Sequence, residues 1–446
     1  MRSGALLGLT LAALSACTPL PRGEVTNVRF APSVMPRGVA RANADLAADF
    51  LDLAFGLESG ERLDHLLRYE RPVRVHLAGL EAYRPDAEAL ILRLRSEAGF
   101  DVALTQDPSA AQIRVESVPA AEIARAYPTA ACFIVPGETN WRGFRRRRTE
   151  AMRWSAQTEL QGAAIFLPAD AAPQEVRDCL HEELTQALGM ANDLYRLPDS
   201  VWNDDNLHGA ATPFDMLMLR VLHQPELRSG MTRDDAAAAL PAILERENPE
   251  GRDAPRAARH PESPAWAGAI EVALSQTADR GDRLAAARTA VGIAAEMRPV
   301  DHRLAVSLLT LGRLTLRRDP AAAARMFTQA YELSLRRLGP DDLRTAHAGV
   351  HVTAVLLAAG RLEETARLAD RLAPAALRGR NAILLAGLLS LKAEALLASG
   401  DEAGARRARL DSLRWARYGF GDDDGALARE QGALAALPPL DGQGLP

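Results

Sequence analysis

Between Ala172 and Asp193 the sequence reads APQEVRDCLHEELTQALGMAND, and the rest of the chain is organised around this stretch. Pro173 stands near the first helical position and Glu175 in the first turn, where a fixed φ and a negative charge both suit a helix start. Val176, Leu180, Leu184 and Leu188 recur every four residues, with Ala187 widening the stripe, so one face is built for burial. Gly189 offers the left-handed stop at the C-terminal end. At 100° per residue Glu182 and Gln186 fall one turn apart, away from the apolar stripe, with Glu183 beside them. Taken as helix surface alone, these three read as a solvated polar face. Taken together with Asn192 and Asp193, they read as a site.

The site reading rests on a resemblance. Metzincin peptidases carry HExxHxxGxxHD on a helix and the turn after it. Laid on this chain, Glu182 takes the first His position, Glu183 the catalytic Glu, Gln186 the second His, Gly189 the Gly, Asn192 the third His and Asp193 the closing Asp. The string ELTQALGMAND resembles the matrixin form ELxHxLGLxHD at every non-ligand position, and Ser200-Val201-Trp202 falls where that group has its Ser-Ile-Met turn. The wider block, from CLHEELTQALG through NDLYRLPDSVWNDDNLH to FDMLMLR and ELRSGMT, is similar to domain-of-unknown-function family 2927 of bacterial envelope proteins.

All three zinc-ligand positions depart from the metzincin pattern. Zinc is held by imidazole and thiolate, and three His leave an open position for water. Glu182, Gln186 and Asn192 offer oxygen and amide atoms, a poor set for zinc and nearer to what a hard ion accepts. In a shifted register His181-Glu182 becomes the HE of HExxH, but Thr185 then stands at the second ligand position, so His181 supplies a single imidazole. His208 is the other candidate imidazole. The expectation is no tightly held cofactor. A divalent cation is the alternative, with calcium ahead of zinc.

The first 17 residues read as a targeting segment: Arg2 is the positive end, Ala5–Leu14 the apolar core, and Leu14-Ser15-Ala16-Cys17 looks like a bacterial lipobox. Cys17 would then carry acyl chains, palmitate among them, that hold the protein to a membrane. Thr18 after the Cys favours the outer membrane by resemblance to sorted lipoproteins. Residues 18–40 are Pro-rich and read as a flexible tether. The remaining cysteines, Cys132 and Cys179, are an even pair in an exported chain and are expected to form a disulfide between a strand and the key helix; two buried thiols are the alternative.

The 446 residues suggest two or three domains, and 48% hydrophobic with 25% charged residues are globular values. A net charge of −5 gives no reason to expect nucleic acid as a partner. Arg145–Arg148 reads as a solvated loop. Residues 41–245 are expected to be α+β. A helix spans Asp45–Leu57 and another Ala87–Ala98. Strands are expected at Val73–Leu77, Asp101–Leu104, Gln112–Val118, Cys132–Val135 and Ala163–Leu167. Strand, helix, four strands, key helix is the order in metzincin catalytic domains. After the key helix, Asn192–Gly209 is a turn-forming loop rich in Asp and Asn that also has the oxygen donors for calcium. Helices follow at Phe214–Leu222 and Asp234–Glu245.

Residues 246–264 form a Pro-rich linker with little to pack. Residues 265–436 read as helical hairpins: Gly281, Gly360 and Gly400 each follow an apolar helix and precede another, and a further unit has Gly312 followed by Ala323, Phe327 and Ala330. This resembles the tetratricopeptide pattern in its longer-helix form, a solenoid of mutually supporting units. Residues 437–446 are a frayed tail.

Two functions fit. One is a lipid-anchored periplasm-facing scaffold that binds a protein or peptide partner through the old cleft or the helical repeats. The other is a metal-dependent peptidase with Glu183 as general base. The first is favoured, because a carboxylate ligand lowers the charge on a metal and weakens the effect by which zinc brings its water to a pKa of about 7.

Overall fold

The computed structural model describes residues 28–30, 37–127, 130–146, 152–203, 207–257, 262–275 and 277–421. The lipobox, Cys17, most of the tether and the C-terminal tail therefore lie outside the described residues. Among the described residues no helix is long and apolar enough to cross a membrane.

The first part of the chain is α/β. Its helices are α1 (Asn43–Ala54), α2 (Arg84–Ser96), α3 (Ala120–Ala126), α4 (Trp141–Arg146), α5 (Pro173–Gln186), α6 (Pro213–Leu222) and α7 (Arg233–Glu247). Its strands are β1 (Val73–Ala78), β2 (Val102–Leu104), β3 (Ile113–Val118), β4 (Phe133–Pro136) and β5 (Ala163–Pro168). They form one mixed sheet in the order β2-β1-β3-β5-β4, parallel except for β4, which runs antiparallel to β5. All five strands expected from the sequence are present within a residue or two. The alternation in β1 buries Val73, Val75 and Leu77 on one side. The unbroken apolar run AAIFLP of β5 is buried throughout, because helices cover both faces of the sheet there.

The main core lies between one sheet face and α1, α2, α5, α6 and α7. A smaller aromatic core on the opposite face joins Ile123 of α3 and Phe144 of α4 to Val118, Val135, Ala164 and Phe166. Neither α3 nor α4 is evident in the sequence, since seven and six residues are too few to show a helical period.

The second part is all helical: α8 (Pro264–Leu274), α9 (Arg280–Glu296), α10 (His302–Thr315), α11 (Pro320–Leu338), α12 (Leu343–Ala358), α13 (Leu362–Arg378), α14 (Ala382–Ala398) and α15 (Glu402–Phe420). Each helix packs on the next, and first helices also meet across hairpins, α8 on α10 and α12 on α14. Small residues allow the close crossings: a Cβ on Gly312 would stand 2.6 Å from the Phe327 ring, and one on Gly349 2.4 Å from Leu372.

Residues 248–257 differ from the loose linker expected. Asn248 is fully buried, accepts from the Val39 amide at 2.7 Å and donates to the Val39 carbonyl at 3.0 Å. Asp45 accepts from the Ala257 amide and from Arg256. The segment packs because one Asn side chain meets both backbone groups of Val39, a pairing over 209 positions that no local pattern announces. Residues 37–40 are correspondingly pinned, and the Phe30 ring lies tilted against Trp415 of α15 with centroids 4.5 Å apart.

The two parts meet along one edge of the helical array. The starts of α8, α10, α12 and α14 all touch residues 174–208. The Tyr195 ring meets Trp266 edge to face at 5.1 Å, and the Tyr195 carbonyl lies 2.7 Å from His302 Nε2. Arg344 Nη1 is 2.6 Å from His208 Nε2. Gln174 on α5 accepts from the Ala382 amide at 3.2 Å. The end of α15 closes the joint, where Arg177 of α5 donates to the Tyr418 carbonyl at 2.7 Å.

Candidate functional site

Helix α5 is held on every side. Its apolar stripe packs on the main core. The disulfide Cys132–Cys179, expected from the cysteine count, ties it to the residue before β4. Beneath it, the Trp202 indole donates to Thr185 Oγ1 at 3.0 Å, and that hydroxyl donates back to the His181 carbonyl at 2.7 Å. The turn carrying Trp202 is organised by Asp215 at the start of α6, which is fully buried. Its carboxylate accepts from Ser200 Oγ at 2.5 Å, the Thr212 amide at 2.7 Å and the Val201 amide at 3.1 Å. Burial pushes the Asp215 carboxyl up to about 6 against these bonds. Gly189 ends the helical run at φ +126°, and a Cβ there would lie 2.2 Å from the Leu67 carbonyl oxygen.

The polar side of α5 is not a solvated face. Glu183 and Gln186 are buried and Glu182 is half-buried. The helix is covered there by the chain that follows it and by the segment around Glu58, which amphipathic spacing alone does not reveal. Gln186 Nε2 donates to Asp193 Oδ2 at 2.7 Å. Asn192 Nδ2 donates to the Asp52 carbonyl at 2.9 Å and fills the space over Gly56. Glu183 faces Asp193 and Glu58. Burial first, then these two negative charges, raise its carboxyl well above the usual range.

The two imidazoles stand elsewhere. His181 is buried on another side of α5, where its Nδ1 accepts from the Ala211 amide at 3.4 Å. Burial, helped by Arg93 and Arg380, pushes it down to about 3, so it is neutral. His208 sits between Pro198 and Arg344 at the array edge. The structure thus brings together Glu183, Gln186 and Asp193, turns Asn192 toward Asp52, and sends both His side chains to packing duties.

Two described side chains of the loop after Asn192 bond to the protein itself. Asp199 accepts from Arg41 Nη2 at 2.5 Å, and Asn203 donates to the Leu197 carbonyl. Asp204, Asp205 and Asn206 lie outside the described residues. Among the described residues no group of three His, Cys, Asp or Glu side chains is arranged to hold a metal ion. Arg196 was not singled out in the sequence, yet it anchors this side of the site. Its guanidinium binds Asp49, Asp52 at 3.0 Å and Glu262 at 3.4 Å. Those acids come from two distant segments, so sequence spacing carries no sign of the cluster.

Residues 43–242 match the family model described as "Protein of unknown function (DUF2927)". The match runs from the first residue of α1 to Ala242 in α7. It takes in the whole sheet and α5, and leaves the helical array outside. No curated protein matches the chain.

Proposed function

We propose that this chain is a lipid-anchored protein of the bacterial envelope, facing the periplasm, that binds a peptide or protein without hydrolysing it. The α/β part is read as a metzincin-like domain that has lost its zinc site, and the helical part as a tetratricopeptide-like array buttressing it.

One observation carries the non-catalytic reading. Two of the three positions that would ligate zinc in a metzincin are hydrogen-bonded inside the protein, Gln186 to Asp193 and Asn192 to Asp52. Each amide nitrogen is committed to a protein acceptor, and neither side chain offers the imidazole that zinc favours. The chain order of strand, helix, further strands and α5, with the Trp202 turn beneath α5, supports the peptidase-like layout. The Cys132–Cys179 disulfide supports an oxidising compartment. The cleft would take an extended peptide along β4, which among the described residues is an edge strand paired with β5.

A second reading, a hydrolase using Glu183, has the raised Glu183 carboxyl in its favour, since buried acids of that kind serve as proton donors and acceptors. Metal add-back to the purified chain followed by elemental analysis separates the two. The scaffold reading expects substoichiometric zinc and no cleavage of a peptide library. Stoichiometric metal lost in Glu182→Ala or Gln186→Ala, or cleavage abolished by Glu183→Gln, would overturn it.

A further inference from the structure

The N-terminal segment reaches the array through one side chain. The Phe30 ring lies 4.5 Å from the Trp415 ring, tilted by 30°, and 5.3 Å from the Tyr418 ring, edge to face at 89°. Trp415 and Tyr418 stand one turn apart on α15 with their rings 6.0 Å apart, and Phe30 packs on both. Phe30 is half-buried there, and among the described residues positions 28–30 make no hydrogen bond or ion pair.

Tyr418 is also where the two parts of the molecule join. The Arg177 guanidinium of α5 lies over the same ring, and Tyr418 OH donates to Asp86 of α2. Phe30 therefore bears on a residue whose ring and hydroxyl both serve the joint. The next held stretch belongs to the other part. The Arg37 carbonyl accepts from Arg220 of α6 at 2.8 Å, and Val39 is held by Asn248 through both backbone groups. The chain is thus fastened to the array at Phe30 and to the α/β part from Arg37 onward.

The linking stretch is short, residues 31–36, so Phe30 leaves and returns within one molecule at roughly millimolar effective concentration. Two ring contacts and a half-buried ring shift such an equilibrium by about ten- to a hundred-fold. That populates the docked state and still lets it open.

We propose that the N-terminal segment straps the joint between the two parts, with Phe30 as a releasable latch. Docked on Trp415 and Tyr418, Phe30 steadies the Arg177–Tyr418–Asp86 contact; released, it loosens that contact and lengthens the chain between Cys17 and the first held residue. The second consequence rests on the lipid-anchor reading above. From Cys17 to Phe30 the extended chain spans at most about 45 Å, and from Cys17 to Arg37 at most about 70 Å, so the latch sets how far an anchored molecule stands from its membrane.

Trypsin cleavage of the Arg29–Phe30 bond in the full chain, followed by mass spectrometry, reads the latch, because cleavage tracks the open population when opening is fast. The free peptide of residues 23–36, whose one basic residue is Arg29, supplies the intrinsic rate for each substitution. The full chain is expected to be cut at least ten-fold more slowly than the peptide, and Phe30→Ala should remove most of that protection. Arg177→Ala should raise cleavage at least three-fold. Tyr418→Phe keeps the ring that Phe30 meets, deletes the bond to Asp86 and should raise cleavage about two-fold, with the melting temperature as a control on folding. Equal rates in chain and peptide, or protection that survives Phe30→Ala, overturn the latch. Protection lost in Phe30→Ala but unmoved by both Arg177→Ala and Tyr418→Phe overturns the link to the joint. An unmodified Cys17 in protein taken from the envelope overturns the membrane consequence together with the anchor reading, and leaves the latch to stand on the cleavage rates.

Discussion

The Arg177 guanidinium lies over the Tyr418 ring, 3.8 Å from its centroid, while Nη1 donates to the Tyr418 carbonyl and Nε to Asp86 at 3.2 Å. Tyr418 OH donates to the same Asp86 oxygen at 3.1 Å. One residue on α5 therefore binds α2 and α15 at once, and the two parts of the molecule are joined through the helix that carries the candidate site.

Removing Arg177 should loosen that joint. A charged hydrogen bond contributes about 1.5–3 kcal/mol and a partly buried cation–π contact about 1 kcal/mol. Arg177→Ala is expected to cost about 2–4 kcal/mol and to split a single thermal transition into two in scanning calorimetry. Arg177→Lys should recover little, since an ammonium cannot stack and fork together. A single unchanged transition in Arg177→Ala would show that the contact does not hold the parts together.

Reducing the disulfide should destabilise the sheet side of the site. Cys132 and Cys179 are 47 positions apart, and closing a loop of that length is worth about 4 kcal/mol in the chain-entropy model. Denaturant midpoints of the oxidised chain and of Cys132→Ser with Cys179→Ser should differ accordingly. The reduced and the double-variant chains should agree with each other.

Gly189 and Gly400 should respond differently to alanine. Both have positive φ, +126° and +89°, but a Cβ at Gly400 meets nothing while one at Gly189 meets the Leu67 carbonyl at 2.2 Å. Gly400→Ala is expected to cost about 1 kcal/mol and Gly189→Ala at least about 3 kcal/mol. Urea denaturation of both variants reads this directly.

The pH dependence of stability should have two limbs. His223 and His351 are each pushed down to about 3, burial being the largest cause in both. The unfolded chain takes up these protons near 6.5 and the folded one only near 3. This contribution is therefore full above 6.5 and lost as pH falls toward 3. Asp178 runs the other way. Burial raises its carboxyl to about 7, so the folded state keeps a proton that the unfolded state has released above about 4. Its contribution is full below that value and lost as pH rises to 7. Asp178→Asn keeps an acceptor for Gln174 and should gain on the order of 2 kcal/mol at pH 8 but nothing at pH 4. Denaturant midpoints across pH 4–8 for both chains measure the difference.

What the sequence disclosed was periodic or local. Alternation marked β1, an unbroken apolar run marked β5, and repeated glycines between apolar helices marked the hairpins. Charge spacing on α5 located Glu182, Glu183 and Gln186 but misjudged their surroundings, because a helical wheel shows which residues share a face and not what covers it. Asp215 has a visible signature in Thr212-Pro213-Phe214-Asp215, a helix start whose cap and third residue bond reciprocally. Its second task, gathering Ser200 and Val201, was not visible. Arg196 and Asn248 act across more than a hundred positions, and Glu58 reaches the site from a turn with no motif of its own.

The edge contacts of the array have an evolutionary corollary. Tandem helical hairpins ordinarily gain or lose a unit with little penalty, since each touches only its neighbours. Here Tyr195 meets the first two hairpins, at Trp266 and His302, His208 meets the third at Arg344, and Gln174 meets the fourth at Ala382. Deleting or duplicating one unit would misalign every later one with its mate, so the number of hairpins in this chain is locked by the α/β part it leans on.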